Sequence, residues 1–140
     1  MVLSTVAVAR RLLAPLGVLV GVVAAFGYVG AVDPHEPGHY PVCPLFRLTG
    51  LYCPGCGGLR GAHALAHGGL SRALGDNALV VVCAAVFCVG WVVWCARALG
   101  WRLPARRGTG WRAWHAWAIG GAVLAFTLVR NLPFGGLLAP

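Results

Sequence analysis

Three cysteines and two histidines within one short segment carry the reactive chemistry of this chain: Cys43, Cys53, Cys56, His63 and His67, with His35 and His39 just upstream. Cys53-Pro54-Gly55-Cys56 is a Cys-x-x-Cys pair, whose thiols can bond to each other or share one metal ion. A disulfide from Cys43 to Cys53 or Cys56 would staple the segment, and closing a loop of roughly 15 residues contributes about 3 kcal/mol. Zinc takes four tetrahedral ligands. Cys53-x-x-Cys56 followed by His63-x-x-x-His67 offers the right ligand types, and His39 or Cys43 could replace one of them. Against zinc stand a gap between the pairs shorter than in zinc fingers and, outside the cytoplasm, an oxidising compartment that favours disulfides. In thiol–disulfide exchange Cys53 and Cys56 would be the catalytic pair, with Cys43 as a resolving or third thiol, and a following helix N-terminus would favour the thiolate. The βαβ pattern that usually accompanies such a redox pair is absent. Gly57 stands where Cys-x-x-Cys-His needs histidine, which argues against covalent haem.

The elements that must position these residues are apolar. Of 140 residues, 59% are hydrophobic and 10% charged, against roughly 25% charged in soluble domains. The expected fold is an all-α integral membrane protein, a single membrane domain over 1–140. Its spans fall at about 12–32, 78–100 and 114–132, and the outer loop 33–77 is rich in Cys and His. A small-residue step at Val29-Gly30-Ala31 leaves cleavage of the first span as a signal peptide open. Gly17 and Gly21 form a Gly-xxx-Gly step that would admit a second helix closely.

Within the loop, Pro54 and the glycines after Cys56 predict a tight turn into a short amphipathic helix over 58–67, interfacial or re-entrant in the membrane. Arg60, His63 and His67 would form its polar stripe, and Leu59, Ala62 and Ala66 its apolar one. A further turn over 70–74 is expected, then an N-cap for the second span at Asp76-Asn77. Cys83, Cys88 and Cys95 fall inside that span, where they read as small packing residues.

The net charge of +8 comes from arginine alone, lysine being absent. The arginines flank apolar runs, which points to topology and lipid headgroups and away from nucleic acid. Arg10, Arg11, Arg97, Arg102, Arg106, Arg107 and Arg112 fall on one side, whereas Arg47, Arg60, Arg72 and Arg130 accompany Asp33, Glu36 and Asp76 on the other. Positive-inside bias therefore places the N-terminus in the cytoplasm and the Cys-rich loop outside. Trp91, Trp94, Trp101, Trp111, Trp114 and Trp117 gather near the inner ends of the spans, as an aromatic belt does. Arg130 has two readings: snorkelling to the headgroups, or pairing with Asp33 or Asp76 to fasten the loop to the third span.

The order Cys43-Pro44, Cys53-Pro54-Gly55-Cys56-Gly57, Arg60, Gly68-Gly69, Asn77 and Arg130-Asn131-Leu132-Pro133, with its intervening apolar spans, resembles the family of small bacterial membrane proteins catalogued as domain of unknown function 2752. The resemblance covers roughly 43–140. It departs at Ala78, where the family pattern tends to have proline. It implies a bacterial cell membrane location and this architecture, ties the cysteines to the pattern more firmly than His63 or His67, and supplies no activity.

No nucleotide loop, paired carboxylates or Ser/His/Asp set appears, and three short spans cannot enclose a polar pathway within one copy. The expectation is a non-enzymatic accessory or assembly subunit, multi-pass in the bilayer, whose Cys-rich loop is held by a disulfide or by zinc. A membrane-protein partner or a second copy would complete it. The rival is a membrane thiol–disulfide oxidoreductase using Cys53 and Cys56. Cys43, Cys53, Cys56, His63 and His67 are the structural or metal candidates; Arg60, Asp76, Asn77, Arg130 and Asn131 are the polar residues expected to hold the loop.

Overall fold

An apolar chain that cannot expose its backbone to lipid satisfies its N–H and C=O groups by forming helices, and this chain does so. The computed structural model describes residues 5–36, 38–101, 112–133 and 135. Among them are five helices and no strand: α1 (Thr5–Ala31), α2 (Pro44–Thr49), α3 (Gly58–Ala66), α4 (Leu70–Ala98) and α5 (Ala113–Arg130).

Two helices are long and apolar enough to cross a membrane. Ala7–Ala31 within α1 has 25 residues and a mean hydropathy of 2.2, and Leu70–Ala98 has 29 residues and 2.6. Only 6% and 0% of their most apolar windows are buried within the protein. Valine and leucine side chains that the fold leaves outward at such density need a lipid solvent. α5 does not match them: within its 18 residues Trp114, His115, Trp117 and Arg130 interrupt the apolar run. The described residues therefore give two spans where three were expected. The arginines at 102, 106 and 107 and Trp111 lie outside the described residues.

α1 and α4 meet at a proline. Pro15 lies inside α1 and is fully buried, and the Trp91 indole N–H of α4 donates to its carbonyl at 2.9 Å. Gly17 and Gly21 have no neighbour close enough to use their missing Cβ atoms. The close approach comes at Gly30, where a Cβ would stand 3.3 Å from that of Ala66 on α3.

α4 is two helices joined without a loop. Asn77 is extended within it (φ −164°, ψ 98°), and its Oδ1 accepts the Val80 N–H at 3.2 Å, so it caps the span that follows. α3 lies against the shorter first segment. The residues it buries are Gly61 and Ala64, whereas Leu59 is 42% exposed and Ala66 is exposed. Leu59 and Ala66 of the apolar stripe thus lie off the face packed on α4, which is the one that carries Gly61 and Ala64. Backbone proximity decides this: a Cβ on Gly61 would stand 3.3 Å from the Ala73 carbonyl, an approach that small residues alone permit.

α2 was not foreseen. Pro44 at its first position suits a helix start, and Gly50 in the left-handed conformation (φ 71°) closes it.

Candidate metal centre

The three loop cysteines converge from separate pieces of chain. Cys43 stands immediately before α2, Cys53 follows it after a short return, and Cys56 sits in the turn that opens α3. Cys43 Sγ lies 3.4 Å from Cys53 Sγ, and Cys53 Sγ lies 3.2 Å from Cys56 Sγ. All three sulfurs are within 4.8 Å of one another. Those separations exceed the S–S bond of about 2.05 Å, and all six cysteines are free thiols. The expected disulfide from Cys43 to Cys53 or Cys56 is not formed. The spacing approaches the edge of a tetrahedron of sulfurs around zinc, about 3.8 Å for a Zn–S distance of about 2.3 Å.

Buried side chains from α4 and α5 hold the turn by its carbonyl groups. Asn77, fully buried, donates through Nδ2 to the carbonyls of Pro54 and Cys56, each at 2.9 Å. Arg130, 2% exposed, donates through Nη1 to the Cys53 carbonyl at 3.1 Å. Its guanidinium carbon lies 5.6 Å from the centre of the Tyr52 ring and 5.1 Å from that of Phe126. Asn131 fixes Tyr52, the residue before Cys53, from both sides of its backbone. Arg130 therefore fastens the loop to α5, but through a carbonyl: among the described residues no carboxylate pairs with it. Its Nε and Nη2, and Asp76 Oδ2, are buried without a hydrogen-bond partner.

The surroundings pull two of the thiols apart. The backbone N–H of Phe46, and then the neighbouring thiols Cys53 and Cys56, hold Cys43 down to about 7. Burial pushes Cys56 up to about 12.

His63 and His67 do not join the sulfurs. α3 carries them along its axis away from the turn, at roughly 1.5 Å per residue. There His63 Nδ1 meets the Val29 carbonyl at 2.8 Å and His67 Nδ1 meets the His63 carbonyl at 2.9 Å. Their rings lie 4.4 Å apart, with His35 6.4 Å from His63. His35 in turn pairs with Asp33 at 2.7 Å, which, through the backbone and side chain of His35, holds the Asp33 carboxyl below its usual range. Arg60 is half-buried and borders a cavity of about 750 Å³ that Cys43, Cys53 and Cys56 also line, together with His35 and Glu36.

Residues 43–91 match a family model described as a protein of unknown function, DUF2752. The likeness to that family is confined to this stretch, about a third of the chain. The stretch contains all three converging cysteines, Arg60 and Asn77, and it stops inside α4, short of the 43–140 that the resemblance suggested. Arg130 and Asn131, which hold the turn from α5, lie beyond it. No curated protein and no solved structure matches the chain.

The sequence flagged the polar residues that hold the turn, but it offered Asp33 or Asp76 as the partner of Arg130, which instead meets the Cys53 carbonyl, and gave none for Asn131. It missed Tyr52, whose backbone is the anchor point for Asn131, because a backbone acceptor leaves no mark in side-chain type.

Proposed function

We propose that this protein is a polytopic accessory or assembly subunit of the bacterial cell membrane, whose three-cysteine centre binds zinc and so holds the DUF2752 loop in a fixed shape for a partner. The observation that carries this reading is the convergence of Cys43, Cys53 and Cys56 sulfurs within 4.8 Å. Zinc would displace the thiol protons, including that of Cys56, and bind the three thiolates. α5 is the third span in this reading, ending on its outer side at Arg130. Arginine asymmetry puts the N-terminus in the cytoplasm and the cysteines outside. The partner is a membrane protein or a second copy.

The test is metal content and intact mass, after alkylation of free thiols, of protein purified in detergent with and without reductant. One zinc per chain, lost in Cys53→Ser, supports the reading. A metal-free protein with a disulfide among the three cysteines overturns it.

A second reading has its own support. Cys53 lies 3.2 Å from Cys56 and 3.4 Å from Cys43, so either neighbour could form a disulfide with it by a small movement. As a thiol–disulfide oxidoreductase, one thiolate would attack a partner disulfide, release one partner thiolate, and be resolved by a neighbouring thiolate that frees the second. Ready equilibration of this cluster with glutathione buffers would favour that role over the metal site.

A further inference from the structure

We infer that the metal in this centre keeps one position that the chain does not fill, and that the position takes the thiolate of a small anionic thiol entering through the cavity. The inference rests on the metal reading above.

The chain itself supplies only three ligands. Every cysteine, histidine, aspartate and glutamate of the sequence lies among the described residues, and only Cys43, Cys53 and Cys56 bring ligand atoms together. His63 is engaged at the Val29 carbonyl of α1 and His67 at the His63 carbonyl of α3, and His35 is paired with Asp33. Zinc with three protein ligands keeps a fourth position for an exogenous group, whereas a purely structural site is closed by four.

The open position has space in front of it. All three cysteines line the same cavity of about 750 Å³, within the range of small-molecule sites. A metal on three sulfurs is soft and favours a fourth sulfur.

Charge selects the rest of the ligand. Zinc with three thiolates carries one net negative charge, which the buried guanidinium of Arg130 on the Cys53 carbonyl offsets. A fourth thiolate adds another negative charge, and Arg60 on the cavity wall is the cation placed to offset it or to take a carboxylate of the ligand. Glu36 also lines the cavity but is exposed, where solvent screens its charge. Binding is ligand exchange without redox change: the thiol loses its proton to water, its sulfur bonds to the metal, and a metal-bound water leaves.

The experiment uses the full-length protein in detergent, reduced and loaded with cobalt(II), which reports coordination by its visible absorption. Reduced glutathione is the probe, and S-methylglutathione, with the same charges and no thiol, is the control. The expected result is a saturable shift of the cobalt bands, with sulfur-to-cobalt charge transfer rising by about one third as three thiolates become four. S-methylglutathione leaves the spectrum unchanged. Arg60→Gln weakens glutathione binding roughly tenfold and Arg60→Lys recovers much of it. Cobalt that binds but does not respond to glutathione overturns the inference and leaves the metal site standing. The same shift with S-methylglutathione, or removal of cobalt by glutathione, also overturns it. Failure of the reduced protein to take up cobalt at all overturns the metal reading itself.

Discussion

Asn131 and Tyr52 exchange two hydrogen bonds across 79 positions of sequence: the Tyr52 N–H donates to Asn131 Oδ1 at 2.8 Å, and Asn131 Nδ2 donates to the Tyr52 carbonyl at 2.9 Å. Nδ2 also donates to the Thr127 carbonyl at 2.8 Å, which ties the amide to α5. Asn131→Ala strands both Tyr52 backbone groups and is expected to cost about 1–3 kcal/mol, read as a lower unfolding midpoint in detergent. Asn131→Asp keeps the acceptor but turns a second oxygen toward the Tyr52 and Thr127 carbonyls, so its midpoint should lie below that of Asn131→Ala. An unchanged midpoint in Asn131→Ala would mean that α5 is held elsewhere.

Asn77 presents a sharper contrast. Its Nδ2 serves two carbonyls of the cysteine turn while its Oδ1 caps the span. Asn77→Ala loses all three bonds in a fully buried position, an expected loss of roughly 2 kcal/mol or more. Asn77→Asp preserves the cap but turns an acceptor toward the Pro54 and Cys56 carbonyls. It should therefore be less stable than the alanine variant, the same order as at Asn131. Thermal unfolding of the two proteins side by side decides it.

The metal-free, reduced protein should show ordered thiol reactivity. Cys43 is held down to about 7, and a thiol reacts as thiolate above its pKa. Its alkylation by iodoacetamide should therefore climb between about pH 6 and 8 and then level off. Cys56, pushed up to about 12 and 8% exposed, should stay unmodified over that range. Peptide mapping of alkylated protein at several pH values reads both. Cys83, exposed on the apolar surface of α4 and remote in sequence from the turn, should be replaceable by alanine without changing this order.

The membrane character and the grouping of Cys43, Cys53 and Cys56 were legible in the sequence because composition and short-range spacing encode them. Gly50 and Pro44, which bound α2, were also in plain view, but the short run between them has too few residues for periodicity to register. The face of α3 that packs on α4 was hidden for a different reason. Hydrophobic patterning ranks Leu59 above Gly61, yet the backbone of α4 comes closest where a side chain is missing. His63 and His67 have the spacing of a ligand pair, but spacing along a helix does not say whether the helix points at the three sulfurs. The partner of Arg130 was hidden because a carbonyl acceptor carries no sequence signature, whereas Asp33 and Asp76 do.

Arg130 joins the fold to the chemistry, so its variants should move two quantities together. Arg130→Ala removes the bond to the Cys53 carbonyl and empties the space beside Tyr52 and Phe126, an expected loss of about 2–4 kcal/mol. It also removes a buried positive charge near three thiolates, so zinc affinity should fall roughly tenfold or more. Arg130→Lys keeps the charge and one donor but not the planar fork that lies near the two rings. It should recover most of the zinc affinity and only part of the stability. Competition with a chromophoric chelator gives the first quantity, and thermal unfolding in the same detergent gives the second. If both variants lose stability yet bind zinc as tightly as the parent, Arg130 is a fastener of α5 and has no electrostatic part in the centre.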